Sequence, residues 1–334
     1  MARISRSWVG ASALGTIMTI AGGHALAQRA QISPECRQQI REQCAGASDR
    51  RSCIARAMQS LSDDCRKQIS RAAAAETPPA QGMVEHSYGT DSLQKLDLRR
   101  AAGAGRAPLI VFIHGGGWSI GDKSNAIAAK ADHFSARGLA FASLNYRLVP
   151  AATVEQQAGD IASAIAWLTG HAADQGIDSG RIIIMGHSAG AHLAALVASD
   201  PSYLTAVKVP FAAVKGAVLL DGAAYDVAVQ AANPRNRVAD MYAAAFGKNP
   251  ARHRRLSPLH HAAAPNAPSW LILAIAERRD SSAQGQALAA ALTRVGAKAL
   301  MVHVPNSSHG KLNRHLGTAG DFATNTVDAF LSGL

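Results

Sequence analysis

Past residue 65 the chain has no cysteine, and the four it has, Cys36, Cys44, Cys53 and Cys65, crowd into one short stretch. No Cys-x-x-Cys pair occurs among them, which argues against a structural zinc site, and no metal is expected. Aromatic residues are few, at 5%. None interleave with basic residues as on a nucleic-acid surface, so no nucleic-acid partner is expected. Beyond the N-terminus no apolar run reaches the roughly 20 residues that span a bilayer. The Gly-Lys-Ser/Thr ending of a phosphate-binding loop is missing as well. Glycine and proline are not in excess, so the chain does not read as disordered.

The first residues read as an export leader, residues 1–27. Arg3 and Arg6 supply a positive start, Trp8 to Gly22 is apolar and small, and Ala25-Leu26-Ala27 fits the small-x-small cleavage rule. A periplasmic or secreted location follows. A membrane anchor is the alternative, and the interruptions at Gly10, Gly15, Gly22 and Gly23 argue against it. The formal net charge of +11 is scattered, apart from Arg252-His253-Arg254-Arg255. It implies solubility and at most weak contact with anionic envelope polymers.

Residues 28–76 form a first module. Ser33-Pro34-Glu35 resembles a helix start, with a capping side chain followed by Pro at the first helical position. A helix over residues 35–45 then stops at Gly46, and a second runs from about residue 51 to residue 75. Of the three connectivities of four cysteines, Cys44–Cys53 and Cys36–Cys65 fit an antiparallel helical hairpin best. A module this small buries little core, so the crosslinks are a physical need. The spacing resembles a cysteine-rich helical repeat found in some Golgi and bacterial envelope proteins, which implies a docking role; a stabilised spacer is the other reading. Residues 77–82, with Pro78-Pro79, are a linker by composition. The module is therefore expected to fold apart from the rest and to add nothing to its chemistry.

From residue 83 to 334 strand and helix patterns alternate. Strands are predicted at Val84 to Tyr88, Leu93 to Leu98, Leu109 to Ile113, Leu139 to Leu144, Arg181 to Met185, Lys215 to Leu220, Trp270 to Ala276 and Ala299 to Val304. Helices are predicted over 124–137, 154–169, 189–199, 238–246, 281–295 and 319–332. Unbroken apolar runs such as Leu109-Ile110-Val111-Phe112-Ile113 suit strands buried on both faces. The alternation implies an α/β domain with a mostly parallel sheet covered by helices.

Two motifs carry chemistry. Gly186-His187-Ser188-Ala189-Gly190 lies between a buried strand and a helix, where a nucleophilic serine needs a sharp turn that flanking glycines permit. His114-Gly115-Gly116-Gly117-Trp118 follows another buried strand, and its glycines let backbone N–H groups approach a ligand. The N–H groups of Gly115, Gly116 and Ala189 are candidates for an oxyanion hole.

With Asn145-Tyr146-Arg147-Leu148, Asp160 ahead of Trp167-Leu168, and Ser257-Pro258-Leu259, these motifs make residues 82–334 resemble the esterase/lipase and arylformamidase branch of the α/β-hydrolases, which includes feruloyl and acetylxylan esterase-like proteins. The resemblance implies an α/β-hydrolase fold and a serine–acid–histidine triad needing neither metal nor organic cofactor. It implies Ser188 as nucleophile, a small-molecule ester as substrate, and His309, just past the last strand, as base. Asp280 holds the position of the acid, with Glu277, where the family often has glycine, as its rival. Asp221 and Asp226 are expected to line the pocket or brace loops. Residues 222–268, with Tyr225, Tyr242 and Phe246, are expected to cap the pocket. A formamidase-type amidohydrolase and a non-catalytic envelope-binding protein are the alternatives.

Overall fold

The computed structural model describes residues 32–45, 53–54, 57–62, 64–66, 68–69, 82–103, 105–232 and 239–334. The expected leader, the end of the second predicted helix from residue 70 and the linker up to residue 81 lie outside the described residues.

Eight strands form one sheet: β1 (Val84–Ser87), β2 (Lys95–Arg99), β3 (Ala107–Ile113), β4 (Ala140–Leu144), β5 (Ile177–His187), β6 (Val214–Leu220), β7 (Ser269–Ala274) and β8 (Lys298–His303). Their order is β1-β2-β4-β3-β5-β6-β7-β8. The pairings β1–β2 and β2–β4 are antiparallel, and the rest are parallel. The chain thus has the expected α/β-hydrolase architecture.

Side chains of β3 alternate between two cores because successive residues of a strand point to opposite faces. Leu109, Val111 and Ile113 pack with the helices Val154–Gly170 and Ala189–Ser199 on one face. Ile110 and Phe112 pack with Phe134 and Val327, from the helices Ala128–Ala136 and Phe322–Leu331, on the other. The first of these helices is fixed at its start by a reciprocal bond pair between Thr153 and Gln156. Among the described residues no helix is long and apolar enough to cross a membrane.

The parallel strands deliver the segments after β3, β5, β6, β7 and β8 to one edge of the sheet. Bonds between neighbours continue past the strand ends: Ser188 N–H donates to Leu220 O at 3.0 Å and Asp221 N–H to Leu273 O at 2.7 Å. Sites of parallel sheets sit at this carboxyl edge.

In the N-terminal module, Ser33 caps the helix Pro34–Gln43, its side chain accepting from Cys36 N–H. The disulfides are Cys36–Cys65 and Cys44–Cys53, with Cα separations of 4.9 and 5.8 Å. Two expectations fail here. The second helix is not continuous, because a 3-10 turn at Met58–Ser60 leads into extended Leu61. Ser62 then starts a new helical turn, its side chain accepting from Cys65 N–H at 3.3 Å. Ser-Asp-Asp at residues 62–64 favours a helix start over a helix interior. Nor does the module stand apart. Ile120, from the segment after β3, packs on Cys36, Ile40, Met58, Leu61 and Cys65. A core of this size is too small to shield itself and borrows an apolar neighbour.

Candidate active site

Ser188 sits between the end of β5 and the helix Ala189–Ser199, with φ 57° and ψ −120°. Positive φ is costly for a residue with a side chain and persists only where the surroundings impose it. Here packing does so. A Cβ on Gly186 would strike the Gly190 carbonyl, and one on Gly190 would strike the carbonyls of Ile113 and His114. The two glycines let strand, turn and helix close around the serine.

The segment after β3 lies against this turn. A Cβ on Gly115 would come within 2.9 Å of both Ser188 Cβ and the His187 carbonyl. Gly116 has φ +126°, and its carbonyl accepts from Ser119 N–H at 3.2 Å and Ile120 N–H at 3.0 Å. Ala189 is the first residue of its helix, where N–H groups have no acceptor within the helix. Gly115 and Ala189 therefore adjoin Ser188, and Gly116 follows Gly115 in the same segment.

Buried polar contacts hold this segment. Tyr146 Oη donates to the His114 carbonyl at 2.8 Å, and the two rings stack at 4.4 Å. His114 Nδ1–H donates to Gly115 O at 2.7 Å; burial lowers the His114 pKa and keeps the ring neutral. Asn145 accepts from Lys123 N–H and donates to Asp122. Arg147 grips Asp160 with two side-chain nitrogens. Trp118 Nε1 donates to His192 Nδ1 at 3.3 Å, and His192 Nε2–H donates to Leu256 O at 2.8 Å. That arrangement needs a neutral ring, and burial moves the His192 pKa down to about 4. The residues of the two motifs at 114–118 and 145–148 thus act as a scaffold.

His309 opens a short helix, His309–His315, after β8. Its carbonyl accepts from His187 Nε2–H at 2.9 Å, and the two rings lie 4.4 Å apart. Burial first, and then the neighbouring His309, push the His187 pKa down to about 3, so the ring stays neutral and can hold that bond. His187 thus ties the His309 backbone to the serine turn, a task the sequence reading did not foresee.

The carboxylate that meets His309 is not the expected one. His309 Nδ1 meets Asp221 Oδ2 at 2.6 Å. Asp280 is on the helix Arg279–Arg294, where it accepts from Gln230 Nε2 at 3.0 Å and places negative charge in the first turn. Glu277 is exposed. The cause is local. Helix Arg279–Arg294 begins so soon after β7 that Asp280 is spent on its N-terminus. Asp221, one residue past β6, is fully buried beside His309. Asp226 braces a loop, as expected, by capping the helix Val227–Ala231.

The Asp221 carboxylate is fully engaged. Oδ1 accepts from Ile275 N–H at 3.2 Å and Ser281 Oγ at 2.9 Å, while Oδ2 accepts from Arg278 Nη1 at 2.7 Å. Burial alone would raise its pKa. The hydrogen bond from His309 and the charge of Arg278 outweigh burial and hold it well below the usual carboxylate range. Arg278 Nη1 and His309 Nδ1 also approach to 2.6 Å. The ionised Asp221 Oδ2 can only accept, so it takes a hydrogen from each of these nitrogens and both are donors to it.

Tyr225, Tyr242 and Phe246 do not line the pocket as expected. All three are buried, and the latter two pack against Trp118. The adjoining pocket is lined by other residues of the same helix, Ala239–Phe246.

Comparison with known proteins agrees with this architecture. The BD-FAE family model matches residues 96–292, well over half of the chain, a span that includes Ser188 and Asp221 but stops short of His309. Esterase LipQ of Mycobacterium tuberculosis is 30% identical over 213 residues, covering 61% of this chain and 50% of that protein. Esterase LipC of the same organism is 33% identical over 141 residues, covering 38% and 35%. The chain spans at most about half the length of these curated relatives. Among solved structures, a truncated carbohydrate esterase from gut microbiota aligns with TM-score 0.65 at 22% identity, covering 77% of this chain and 99% of that one. Thermogutta terrifontis esterase 2, phosphoramylated by tabun, aligns with TM-score 0.60 at 24% identity, covering 77% and 96%. These likenesses show the fold.

Proposed function

The chain belongs to the BD-FAE family, and from that premise we propose that it is a serine carboxylesterase cleaving a small or medium carboxylic ester through an acyl-enzyme. One observation carries this reading. A strained Ser188, a glycine segment lying against it, and a His309 bound through Nδ1 to buried Asp221 all meet at one edge of the sheet. The naming of LipQ and LipC as esterases supports it.

The geometry assigns each group a step. With Nδ1 committed to Asp221, the other nitrogen of His309 is left to take the proton of Ser188 as Oγ attacks the ester carbonyl. The N–H groups of Ala189, Gly115 and Gly116 receive the developing oxyanion. Each such donor is typically worth about 3 kcal/mol of barrier. Collapse of the tetrahedral intermediate breaks the carbon–oxygen bond, and His309 returns its proton to the departing alcohol. Water, deprotonated by His309, then releases the acid and restores Ser188. Asp221 remains ionised throughout, fixing the imidazole tautomer and balancing the imidazolium.

The discriminating experiment compares turnover of a short aryl ester with that of an aryl formamide. A higher kcat/KM for the ester is expected. A preference for the formamide would move the assignment to an amidohydrolase, and turnover of neither would point to a non-catalytic protein.

A further inference from the structure

A pocket of about 540 Å³ opens beside the glycine segment, and three of its lining residues, Met58, Ser60 and Arg66, come from the disulfide-linked N-terminal module. Opposite them stand Gly117 and Ser119 of the segment after β3, and Met241 and Ala244 of the helix Ala239–Phe246. The volume falls in the usual range for a small-molecule site. Ser188 does not itself line it. The pocket meets the catalytic groups at Gly117, on the same short segment whose Gly115 touches Ser188. Gly117 directly follows Gly116, so the pocket opens one residue along the chain from the candidate oxyanion donors.

The module's part of the wall is built, not draped. Arg66 Nη1 donates to Leu61 O at 2.6 Å and to Met58 O at 3.2 Å, which fixes the turn bearing Met58 and Ser60. Arg66 adjoins Cys65, which the disulfide ties to Cys36 on the capped helix Pro34–Gln43. Ile120, three residues beyond Gly117, is seated in the module's small core. Crosslink, turn and glycine segment thus form one connected wall; the apolar part of the pocket lining is Met58, Val149, Pro150, Met241 and Ala244, with Ser60, Arg66, Ser119 and Asp240 as its polar part.

We propose that the disulfide-linked module is a specificity element, forming one wall of a subsite for the apolar chain of the ester, an alkyl or aryl group larger than acetyl. This rests on the esterase reading of Ser188. The site discriminates by chain length, because each methylene buried in the pocket adds to binding.

The test uses the full chain and two p-nitrophenyl esters, acetate and octanoate, and reads the ratio of their kcat/KM values. Ser60→Trp, at an exposed position of the wall, fills the subsite with little risk to folding. Met58→Trp does so from a buried position. Either substitution is expected to lower the octanoate-to-acetate ratio by about tenfold, the scale on which a pocket distinguishes small apolar increments. Replacing both Cys36 and Cys65 with serine loosens the wall and is expected to lower the ratio chiefly by raising KM for octanoate. A wild-type enzyme that hydrolyses both esters, with the ratio unchanged in Ser60→Trp and in the double serine variant, would overturn the proposal and leave the esterase reading standing. A wild-type protein that hydrolyses neither would overturn both.

Discussion

At Asp221 a single carboxylate receives two nitrogens on one oxygen and two further donors on the other. A carboxylate so held keeps its charge while the histidine beside it gains and loses a proton. Asp221→Asn removes that charge and is expected to lower kcat on a short ester by about 10⁴-fold. Asp280→Asn loses only one bond to Gln230 and a favourable charge at a helix start, a stability effect of about 1 kcal/mol, and is expected to leave kcat within about threefold, a shift in barrier of less than 1 kcal/mol. The reverse ranking, read from steady-state kinetics of the two variants, would return the acid to Asp280. That Ser188 and His309 come to one edge of the sheet was legible because each motif sits at a definite place between elements. Which carboxylate meets His309 was not, because Asp221 and Asp280 both follow Ser188 and precede His309, each just past a strand. Order along the chain cannot separate them. What separates them is which loop His309 meets in space, and that depends on packing between β6, β7 and the helix Arg279–Arg294. Arg278, which shares Oδ2 with His309, had no signal in the sequence beyond lying next to an acid.

The elements themselves were mostly legible. All eight strands overlap predicted ones; β3, β4, β6, β7 and the second half of β5 are mainly apolar runs, because strands covered on both faces cannot admit polar side chains cheaply, whereas β1, β2 and β8 mix polar and apolar residues. The short helices Val227–Ala231, Pro250–Arg255 and His309–His315 went unforeseen. Helices of one or two turns are not stable by propensity and exist through caps and packing. The serine turn is the element on which the site depends, and its glycines are set by collision. Gly190→Ala drives a methyl group into the carbonyls of Ile113 and His114. Overpacking of this kind costs roughly 1–3 kcal/mol. The variant is expected to unfold at lower urea concentration and to lose ester hydrolysis. A variant with unchanged midpoint and activity would mean that the turn is not packed as described.

At the scale of the whole molecule, the chain reads in sequence as two units, whereas in the structure the described part of the first packs on the segment after β3. The cysteine pairing followed from helix spacing, and both bridges are present. The joint between the units did not follow, because it rests on one exposed-looking isoleucine in a glycine-rich segment. Ile120 carries no periodic signal, yet it couples the module's core to the segment that faces Ser188. The account as a whole stands on Ser188 being an activated nucleophile in this assembled protein. The direct measurement is stoichiometric reaction with a fluorophosphonate, followed by peptide mass mapping. One adduct per chain is expected, on the peptide containing Ser188, with ester hydrolysis lost in proportion to labelling and no adduct in Ser188→Ala. Labelling at another residue, or complete labelling of Ser188 with hydrolysis retained, would contradict it.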